Sequence, residues 1–292
     1  MASGIRDAFG LSWRLDVLLR QDFALTQQGK KHRQDYLLNS WARERRRGVD
    51  DASRRTEGNG SLLLGKSSLA ATAIGIANGV LDWVPFLRDW MIRKQGSDSH
   101  GFAGVEEGFF LDGSRGLGGR KSGAAGGGGK TAQIYVREGK ISSPILSDQL
   151  FWRNRCCLTL LLLRQVSHQE MTEIWRAIKA ISLPASILAE EILELSGEET
   201  EALHGAQPLS GTTTRISTSE TADLDGPALL KNYDPCVFQK RFQSGALCAL
   251  VRPDFIVFSQ AHTTAQLHQQ LSIAATVLLP ATVDSKTSDA RL

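Results

Sequence analysis

The first residues of the chain combine small side chains with the start of an apolar helical pattern. Apolar residues recur every three or four positions, at Ile5, Ala8, Leu11, Leu15 and Leu18. The spacing predicts an amphipathic helix that buries this face and is capped by Ser3. A helix start with free backbone N–H groups and no bulky side chains can bind an anion or a polarised carbonyl oxygen. A capped surface helix explains the same residues, so this chemistry alone names no ligand.

No other residues have the spacing of a catalytic or metal site. The six histidines form no nucleophilic or metal-ligating group, and two of them near the last predicted helix are six positions apart, on different faces. The cysteines show neither a Cys-x-x-Cys pair nor metal spacing, which predicts reduced thiols that fill the core: Cys156, Cys157, Cys236 and Cys248. We therefore predict no catalytic residue and no metal ligand in this chain.

Two segments match the letters of a phosphate-binding loop. Residues 60–67 fit Gly-x4-Gly-Lys-Ser, and residues 124–131 fit its looser form. Such a loop requires a buried strand before it and a helix after it. Residues 53–59 are polar and helix-like, and only glycine precedes Gly129. Neither match predicts a nucleotide site.

Composition and charge narrow the class of protein. The chain has 292 residues, of which 41% are hydrophobic and 22% charged, as in soluble globular proteins of one or two domains. A net charge of +3 is too small to predict binding to nucleic acid. The sequence shows no signal peptide, and no window approaches the roughly 20 apolar residues of a membrane helix. These features predict a cytoplasmic protein without a membrane partner.

The first third of the chain is predicted to be helical. The opening helix should end near Asp22 and Phe23, a polar connector should follow over residues 26–32, and a second helix should begin near Asp35. The basic run at residues 43–47 is a candidate nucleic-acid patch or localisation signal. Acidic neighbours favour a solvated helix face instead: Glu44, Asp50 and Asp51.

Gly, Ser and Arg dominate residues 93–130. Such a segment buries too little apolar surface to offset its chain entropy, which predicts a flexible connector. An RNA-binding Gly/Arg segment is the alternative, but repeated Arg-Gly-Gly units and aromatic platforms are missing.

Short strands and helices alternate in the second half. We predict strands at 133–136 and 156–163 and a helix at 171–181. Residues 186–193 fit a strand or a helix, and we favour the strand. A polar loop at 196–221 precedes a hairpin, 246–251 and 255–258, around Arg252-Pro253-Asp254, and a last helix spans 264–278. The order predicts an α/β fold that ends in a thioredoxin-like α/β sandwich.

Three segments resemble FAD-dependent aromatic hydroxylases, especially the phenol and 3-hydroxyphenylpropionate hydroxylase branch in its fungal form. The string Ala2-Ser3-Gly4-Ile5-Arg6-Asp7-Ala8, followed by Leu11, Trp13 and Arg14-Leu15, resembles the end of the second flavin-binding motif. The segment from Tyr36 through Trp41 to Glu44-Arg45 resembles the helix that packs behind the flavin domain. Tyr233-Asp234-Pro235 and Gly245 to Leu250-Val251-Arg252-Pro253-Asp254 resemble the C-terminal domain.

The resemblance implies a flavin role for the first residues. Ala2 and Ser3 would offer backbone N–H groups to the pyrimidine edge of the isoalloxazine ring, and Gly4 would allow close approach. Asp7 would brace the start of the helix. The upstream half of the motif, of the Gly-Asp-Ala-Ala-His type, is absent, so the chain is expected to begin in the middle of a flavin site.

The same resemblance implies four regions. These are a helical C-terminal part of an FAD-binding domain at 1–92, a flexible linker at 93–130, a thioredoxin-like domain at 131–282 and a disordered tail at 283–292. The family's C-terminal domain is redox-inactive and often contributes to subunit contacts, which implies a homodimer. The missing Cys-x-x-Cys agrees with a redox-inactive domain.

The implied function is part of a class A flavoprotein monooxygenase that hydroxylates a phenolic substrate with NAD(P)H and O2. The chain has no Gly-x-Gly-x-x-Gly segment after a strand, so it is expected to be inactive alone. The alternative is a non-enzymatic, thioredoxin-like dimerisation or interaction module. A third hypothesis is a degraded gene product that exposes the apolar face of its first helix and is insoluble.

Overall fold

The structure of the chain is a computed structural model. It describes residues 2–20, 27–63, 101–102, 108–111, 126–138, 144–196, 212–218 and 235–279, together with single positions at 72, 79, 83, 84 and 105. In this part of the chain, no helix combines the length and hydropathy needed to cross a bilayer.

Two helices precede a region of strands and shorter helices. The helices are α1 Ala2–Leu19, α2 Gln27–Leu63, α3 Ser147–Arg153, α4 His168–Ile181 and α5 Thr264–Leu278. The strands are β1 Tyr135–Glu138, β2 Ile145–Leu146, β3 Leu158–Leu162, β4 Leu188–Ser196, β5 Thr212–Thr218, β6 Cys248–Val251 and β7 Val257–Ala261. Two short 3-10 turns, Pro235–Val237 and Gln239–Arg241, precede β6.

The seven strands form one mixed sheet in the order β2-β1-β5-β4-β3-β6-β7. β3, β4 and β5 pair in parallel, and the remaining pairs are antiparallel. Every residue of β3 is buried, because both faces of the sheet are covered. Leu160 and Leu162 face the core beneath α1, α2, α4 and α5, whereas Leu161 faces the core on the other side. The predicted α/β class is confirmed.

Most predicted elements of the second half lie where the pattern placed them. The predicted strands correspond to β1, β3 and β4, with bounds shifted by two or three residues, and the hairpin corresponds to β6 and β7. The last helix has the predicted bounds. α4 begins three residues early because Ser167 and Glu170 form a reciprocal capping box, and it ends at Ser182 in a left-handed conformation.

The predicted buried face of α1 is wrong. Ile5 is 67% exposed and Leu15 is 41% exposed, whereas the buried residues are Gly10, Trp13, Arg14 and Val17. The hydrophobic pattern fails because a charged side chain, Arg14, lies on the buried face with its partners. Helix α1 also ends at Leu19 and already includes Ser3 in its first turn, so Ser3 is not a cap before it.

Helix α2 is longer than predicted. It begins at Gln27, so the described part of the predicted connector, residues 27–32, is helical, and the helix starts eight residues before Asp35. Residues 53–59, before the first phosphate-loop match, are helical as the composition indicated. The buried stripe of α2 combines Leu37 with three polar or charged residues: Arg33, Ser40 and Glu44. Glu44 was expected on a solvated face, and this expectation is wrong.

Two other expectations fail in the second half. The predicted polar loop contains β5, whose Thr-rich strand pairs in parallel with β4 and in antiparallel with β1. The predicted flexible linker contains Phe109, Phe110 and Leu111, which are buried in the core and therefore ordered by packing. The Leu111 N–H donates a hydrogen bond to the Phe258 carbonyl, and the Leu111 carbonyl accepts one from the Gly127 N–H.

The division into domains stays a prediction, because the predicted tail and most of residues 64–125 lie outside the described residues.

The four cysteines are free thiols, of which Cys156, Cys157 and Cys248 are buried and Cys236 is exposed. Burial raises the pKa of Cys248 to about 12 and also raises the pKa of Cys156 and Cys157. Since the thiolate is the nucleophile, we expect a disulfide reagent such as DTNB to react rapidly with one thiol in the native protein. The other three should react only on unfolding, and Cys236→Ser should abolish the fast phase. Rapid labelling of two or more thiols would contradict the buried environments.

Candidate functional site

Four charged side chains meet inside the protein where α1, α2 and the β6–β7 turn converge. They are Arg14 of α1, Glu44 of α2, and Arg252 and Asp254 of the turn. We call them the buried charge cluster. Both guanidinium groups are fully buried, and Glu44 is 2% exposed. Buried charges are stable only when they are paired and hydrogen-bonded, so their contacts decide what the cluster can do.

Glu44 accepts hydrogen bonds from both arginines. Arg252 donates to its two carboxylate oxygens, Nη1 to Oε1 at 2.8 Å and Nη2 to Oε2 at 2.9 Å. Arg14 Nη2 donates to Oε2 at 2.7 Å, and Arg14 Nη1 donates to the backbone carbonyl of Gly10 at 2.6 Å. The parallel pair from Arg252 is the bidentate geometry in which arginine binds a carboxylate most strongly.

Asp254 holds the other side of Arg252. Arg252 Nε donates to Asp254 Oδ1 at 2.9 Å, and the indole N–H of Trp13 donates to Oδ2 at 3.1 Å. The carboxylate therefore accepts hydrogen bonds from a side chain of α1 and from a side chain of its own turn. The turn between the strands closes with Phe255 N–H donating to the Arg252 carbonyl at 3.0 Å, and Phe255 has a positive φ of 65°. This turn sets the guanidinium and carboxylate side by side.

Aromatic rings exclude water from the cluster. The guanidinium carbons of Arg14 and Arg252 lie 4.4 Å and 5.3 Å from the Trp13 ring centroid. Phe109 lies 5.6 Å from the Trp13 ring, donates its backbone N–H to Glu44 Oε1 at 2.8 Å and accepts from Arg252 Nη1 at 2.9 Å. A cation over an aromatic face in a desolvated site is attracted to the ring.

The electrostatics of the cluster balance two cations against two anions. Burial by itself raises the pKa of Glu44, but the two nearby guanidinium groups and their hydrogen bonds lower it to about 2. Burial lowers the pKa of Arg14. For Arg252, burial acts in the same direction, but Asp254 and Glu44 outweigh it and raise the pKa. Glu44 and the two arginines are therefore charged at neutral pH.

This arrangement positions helices and offers no reactive group. Both oxygens of Glu44 already accept hydrogen bonds from protein donors, and the arginines stay protonated. The cluster therefore fixes α1 and α2 on the β6–β7 turn. That the chain contains no catalytic residue stays a prediction.

The four residues predicted to contact flavin lie at the start of α1. Ala2, Ser3 and Gly4 form its first turn, and Gly4 is exposed, with no heavy atom within 4 Å of the position that a Cβ would take. Asp7 is half-buried, with Oδ2 at 3.4 Å from Arg45 Nε.

Asp7 connects the first turn to α2 in two ways. Besides the ion pair with Arg45, its backbone carbonyl accepts a hydrogen bond from the Trp41 indole N–H at 3.1 Å. Arg45 also lies over the Trp41 ring, with 5.4 Å between the guanidinium carbon and the ring centroid. The start of α1 is thereby held by α2, while its backbone N–H groups point away from the helix.

The sequence missed the buried charge cluster as a unit, although a signal for it was present. Each member lies in a segment that resembles the hydroxylases: Arg14 in the first, Glu44 in the second, and Arg252 and Asp254 in the third. Nothing in the spacing indicated that the three segments meet.

Among the described residues, no group of three or more His, Cys, Asp or Glu side chains forms a metal site.

Comparisons with known proteins find similarity only among solved structures. No protein-family model matches the chain, and no curated protein sequence matches it. The chain is similar to the crystal structure of the flavin-dependent monooxygenase PieE in complex with FAD and substrate, with 17% sequence identity and a TM-score of 0.47. The alignment covers 94% of this chain and 44% of that chain, so this chain spans less than half the length of that enzyme.

Proposed function

We propose that this chain is part of an FAD-dependent monooxygenase that hydroxylates a phenolic or related aromatic substrate with NAD(P)H and O2. The observation that carries the proposal is the buried charge cluster. It joins, through direct hydrogen bonds, the three segments whose sequences resemble such hydroxylases. The three segments are far apart in the chain but meet in one cluster. Together they therefore support a relationship to these hydroxylases more strongly than each segment does alone.

The start of α1 fits the edge of a flavin ring. Ala2, Ser3 and Gly4 belong to the first turn, where backbone N–H groups have no partner within the helix. The positive end of the α1 helix dipole lies at this turn and would stabilise negative charge on the pyrimidine edge of the flavin ring. The open space at Gly4 allows the backbone to approach a ring, and Asp7 fixes the turn through α2. When bound, FAD would supply the redox chemistry that activates O2.

The remaining parts of the proposal concern the sheet region and the rest of the enzyme. The β3-α4-β4 unit and the β6-β7-α5 unit, in the strand order β4-β3-β6-β7, support a thioredoxin-like domain. Buried, unpaired Cys156 and Cys157 support a redox-inactive role, and the domain would contribute to a homodimer. The chain lacks a Gly-x-Gly-x-x-Gly segment, so tight FAD binding would need a dinucleotide-binding fold from another polypeptide or a longer chain.

The proposal predicts that flavin binding depends on a supplied dinucleotide fold. The chain as written should show no saturable change in flavin absorbance when titrated with FAD. A fusion that places the dinucleotide- and substrate-binding domains of an FAD-dependent aromatic hydroxylase before Met1 should retain FAD, and a phenol should accelerate its NAD(P)H oxidation. A folded fusion that remains colourless at saturating FAD would contradict the proposal.

A pair of glycine substitutions tests the contact at α1. Gly4→Ala and Gly48→Ala both add a methyl group to an α-helix where no heavy atom lies within 4 Å. Each should leave the fold intact or stabilise it by up to about 1 kcal/mol. In the fusion, only Gly4→Ala should weaken FAD binding, by about tenfold, because the methyl group blocks the backbone hydrogen bonds to the ring. Equal FAD affinity of the two variants would remove Gly4 from the site.

The second candidate function is a non-enzymatic interaction module. It is favoured by the apolar side chains that α1 exposes, Ile5 at 67% and Leu19 at 78%. Light scattering of the purified chain distinguishes the two functions when combined with the FAD titration. The module is favoured if the purified chain forms a stable dimer that Ile5→Ser disrupts and if the fusion does not bind FAD.

A further inference from the structure

A cavity of about 480 Å³ lies beside the N-terminal half of α1, between that helix, α2 and the β6–β7 turn. Five aromatic side chains contribute to its lining: Phe9, Trp41, Phe102, Trp152 and Phe255. Its size falls in the range of pockets that enclose small organic ligands. The cavity is open to solvent on one side, where Ile5 and Trp152 of its lining are exposed.

Three of the rings form a continuous wall. Phe9 stacks on Phe255 with 5.8 Å between the ring centroids and an interplanar angle of 28°. Trp152 lies 5.7 Å from Phe9 and 5.9 Å from Phe255. The wall offers ring faces and edges, and an aromatic ligand gains offset-stacked or edge-to-face contacts at such distances. Trp152 is 50% exposed, so part of the wall is accessible from solvent.

Gly10 lines the cavity on the side of α1. A Cβ at this position would lie 3.6 Å from Arg14 Nη1, 3.6 Å from Trp41 Cδ1 and 3.7 Å from Asp254 Oδ2, so α1 packs closely on these side chains here.

The charges that line the cavity favour a negative ligand. Glu44 and Asp254 contribute to its lining, but both carboxylates are already paired with arginines of the buried charge cluster. Asp7 is paired with Arg45, and Lys130 adds a further positive charge to the lining. The Arg45 guanidinium lies over the Trp41 ring and continues the aromatic lining.

We propose that this cavity is a binding site for a planar aromatic acid, a fused-ring aryl carboxylate or a compound of the same shape and charge. The rings would stack on the Phe9–Trp152–Phe255 wall, and the anionic group would lie toward Lys130 and Arg45. The lining includes Ile5 and Asp7, close to the first turn of α1, but the proposed contacts are made by aromatic rings and cationic side chains and not by the backbone N–H groups of that turn. The inference therefore does not rest on the proposed flavin contact.

The test compares three probes of the same size and different charge. The purified chain is titrated with 2-naphthoate, 2-naphthalenemethanol and 2-naphthylmethylamine, and binding is followed by tryptophan fluorescence and calorimetry. We expect saturable binding with one site and the affinity order carboxylate, alcohol, amine. Failure of all three to saturate, or an amine that binds as tightly as the carboxylate, would overturn the proposal.

Matched variants locate the site. Trp152→Ala should weaken 2-naphthoate binding about tenfold, because it removes one ring of the wall. Trp83→Ala is the control and should have no effect, because Trp83 is 90% exposed and does not line the cavity. Lys130→Met should weaken 2-naphthoate about two- to fivefold and leave the alcohol unchanged, with the exposed Lys179→Met as its control.

The variants also separate this site from the flavin proposal. In the FAD-binding fusion, Trp152→Ala and Lys130→Met should leave the affinity for FAD unchanged, whereas Gly4→Ala should weaken it and should leave 2-naphthoate binding to the chain alone unchanged. Loss of FAD binding in Trp152→Ala or Lys130→Met would overturn a separate aryl-acid site. Circular dichroism and thermal unfolding confirm that each variant is folded, so a loss of binding is assigned to the cavity.

Discussion

Replacing Glu44 with Gln is expected to lower the free energy of unfolding by about 3–5 kcal/mol. The substitution keeps the size of the side chain but leaves Arg14 and Arg252 buried with only the Asp254 carboxylate between them. Breaking a buried ion pair by removing one partner costs more than the pair contributes, because an uncompensated charge stays out of water. The amide also places an N–H₂ donor against a guanidinium donor.

Asp51→Asn is the matched control. Asp51 lies on the same helix and pairs with Arg47 at 3.2 Å, but both side chains are at least 40% exposed. An exposed pair four residues apart in a helix contributes about 0.3–0.5 kcal/mol. Urea denaturation of the two variants measures the difference directly. A Glu44→Gln variant that loses less than about 1 kcal/mol would show that the cluster is not the brace that the geometry indicates.

Acid should destabilise the protein through Glu44 over a defined pH range. The native pKa of about 2 lies below the ordinary glutamate value near 4.3, so the unfolded state binds the proton first as the pH falls. The stabilisation by Glu44 is complete above about pH 5 and is lost as the pH falls from about 4 to 2. The linked free energy is about 3 kcal/mol.

Subtracting the pH profile of Glu44→Gln from that of the parent chain isolates this contribution. Glu170 also has a lowered pKa, of about 2, through Arg164 and the Ser167 backbone, but it lies at the surface. Glu170 is present in both proteins, so its share cancels, and salt would screen it. Two parallel profiles between pH 5 and pH 2 would contradict a charged, buried Glu44.

Local patterns predicted the elements of the sheet region well. The apolar run of β3, the helical spacing of α4 and the Arg252-Pro253-Asp254 turn between β6 and β7 each specify structure over a few residues. Their physical causes, period and turn chemistry, are visible in one segment of sequence. The α/β class followed from the order of these elements.

The sequence did not predict which face of α1 is buried. The spacing of apolar residues places Ile5 and Leu15 on the buried face of α1, but the protein buries Trp13 and Arg14 instead. Arginine is rarely buried unless it is paired, and its partner Glu44 lies 30 positions away. The apolar spacing within α1 carries no information about a charged residue on α2. A prediction from that spacing alone therefore placed the wrong face of α1 in the core.

Long-range pairing also explains the two errors in the polar segments. β5 was predicted as loop because Thr and Ser are common in loops, yet Thr213 and Thr214 lie opposite Ile192 and Leu193 in a strand. Phe109 was assigned to a flexible linker on the composition around it, yet it packs 5.1 Å from Phe258. In both cases a partner distant in sequence supplies the stability that composition could not indicate.

Glu44 and Arg252 are separated by 208 positions and are bonded directly. This contact restricts how such a protein can be divided during evolution. Fission of the gene between the two would give one product with Arg14 and Glu44 and another with Arg252 and Asp254, so each would carry only half of the buried charge cluster. The opening helices and the closing hairpin must therefore stay in one polypeptide or associate as two.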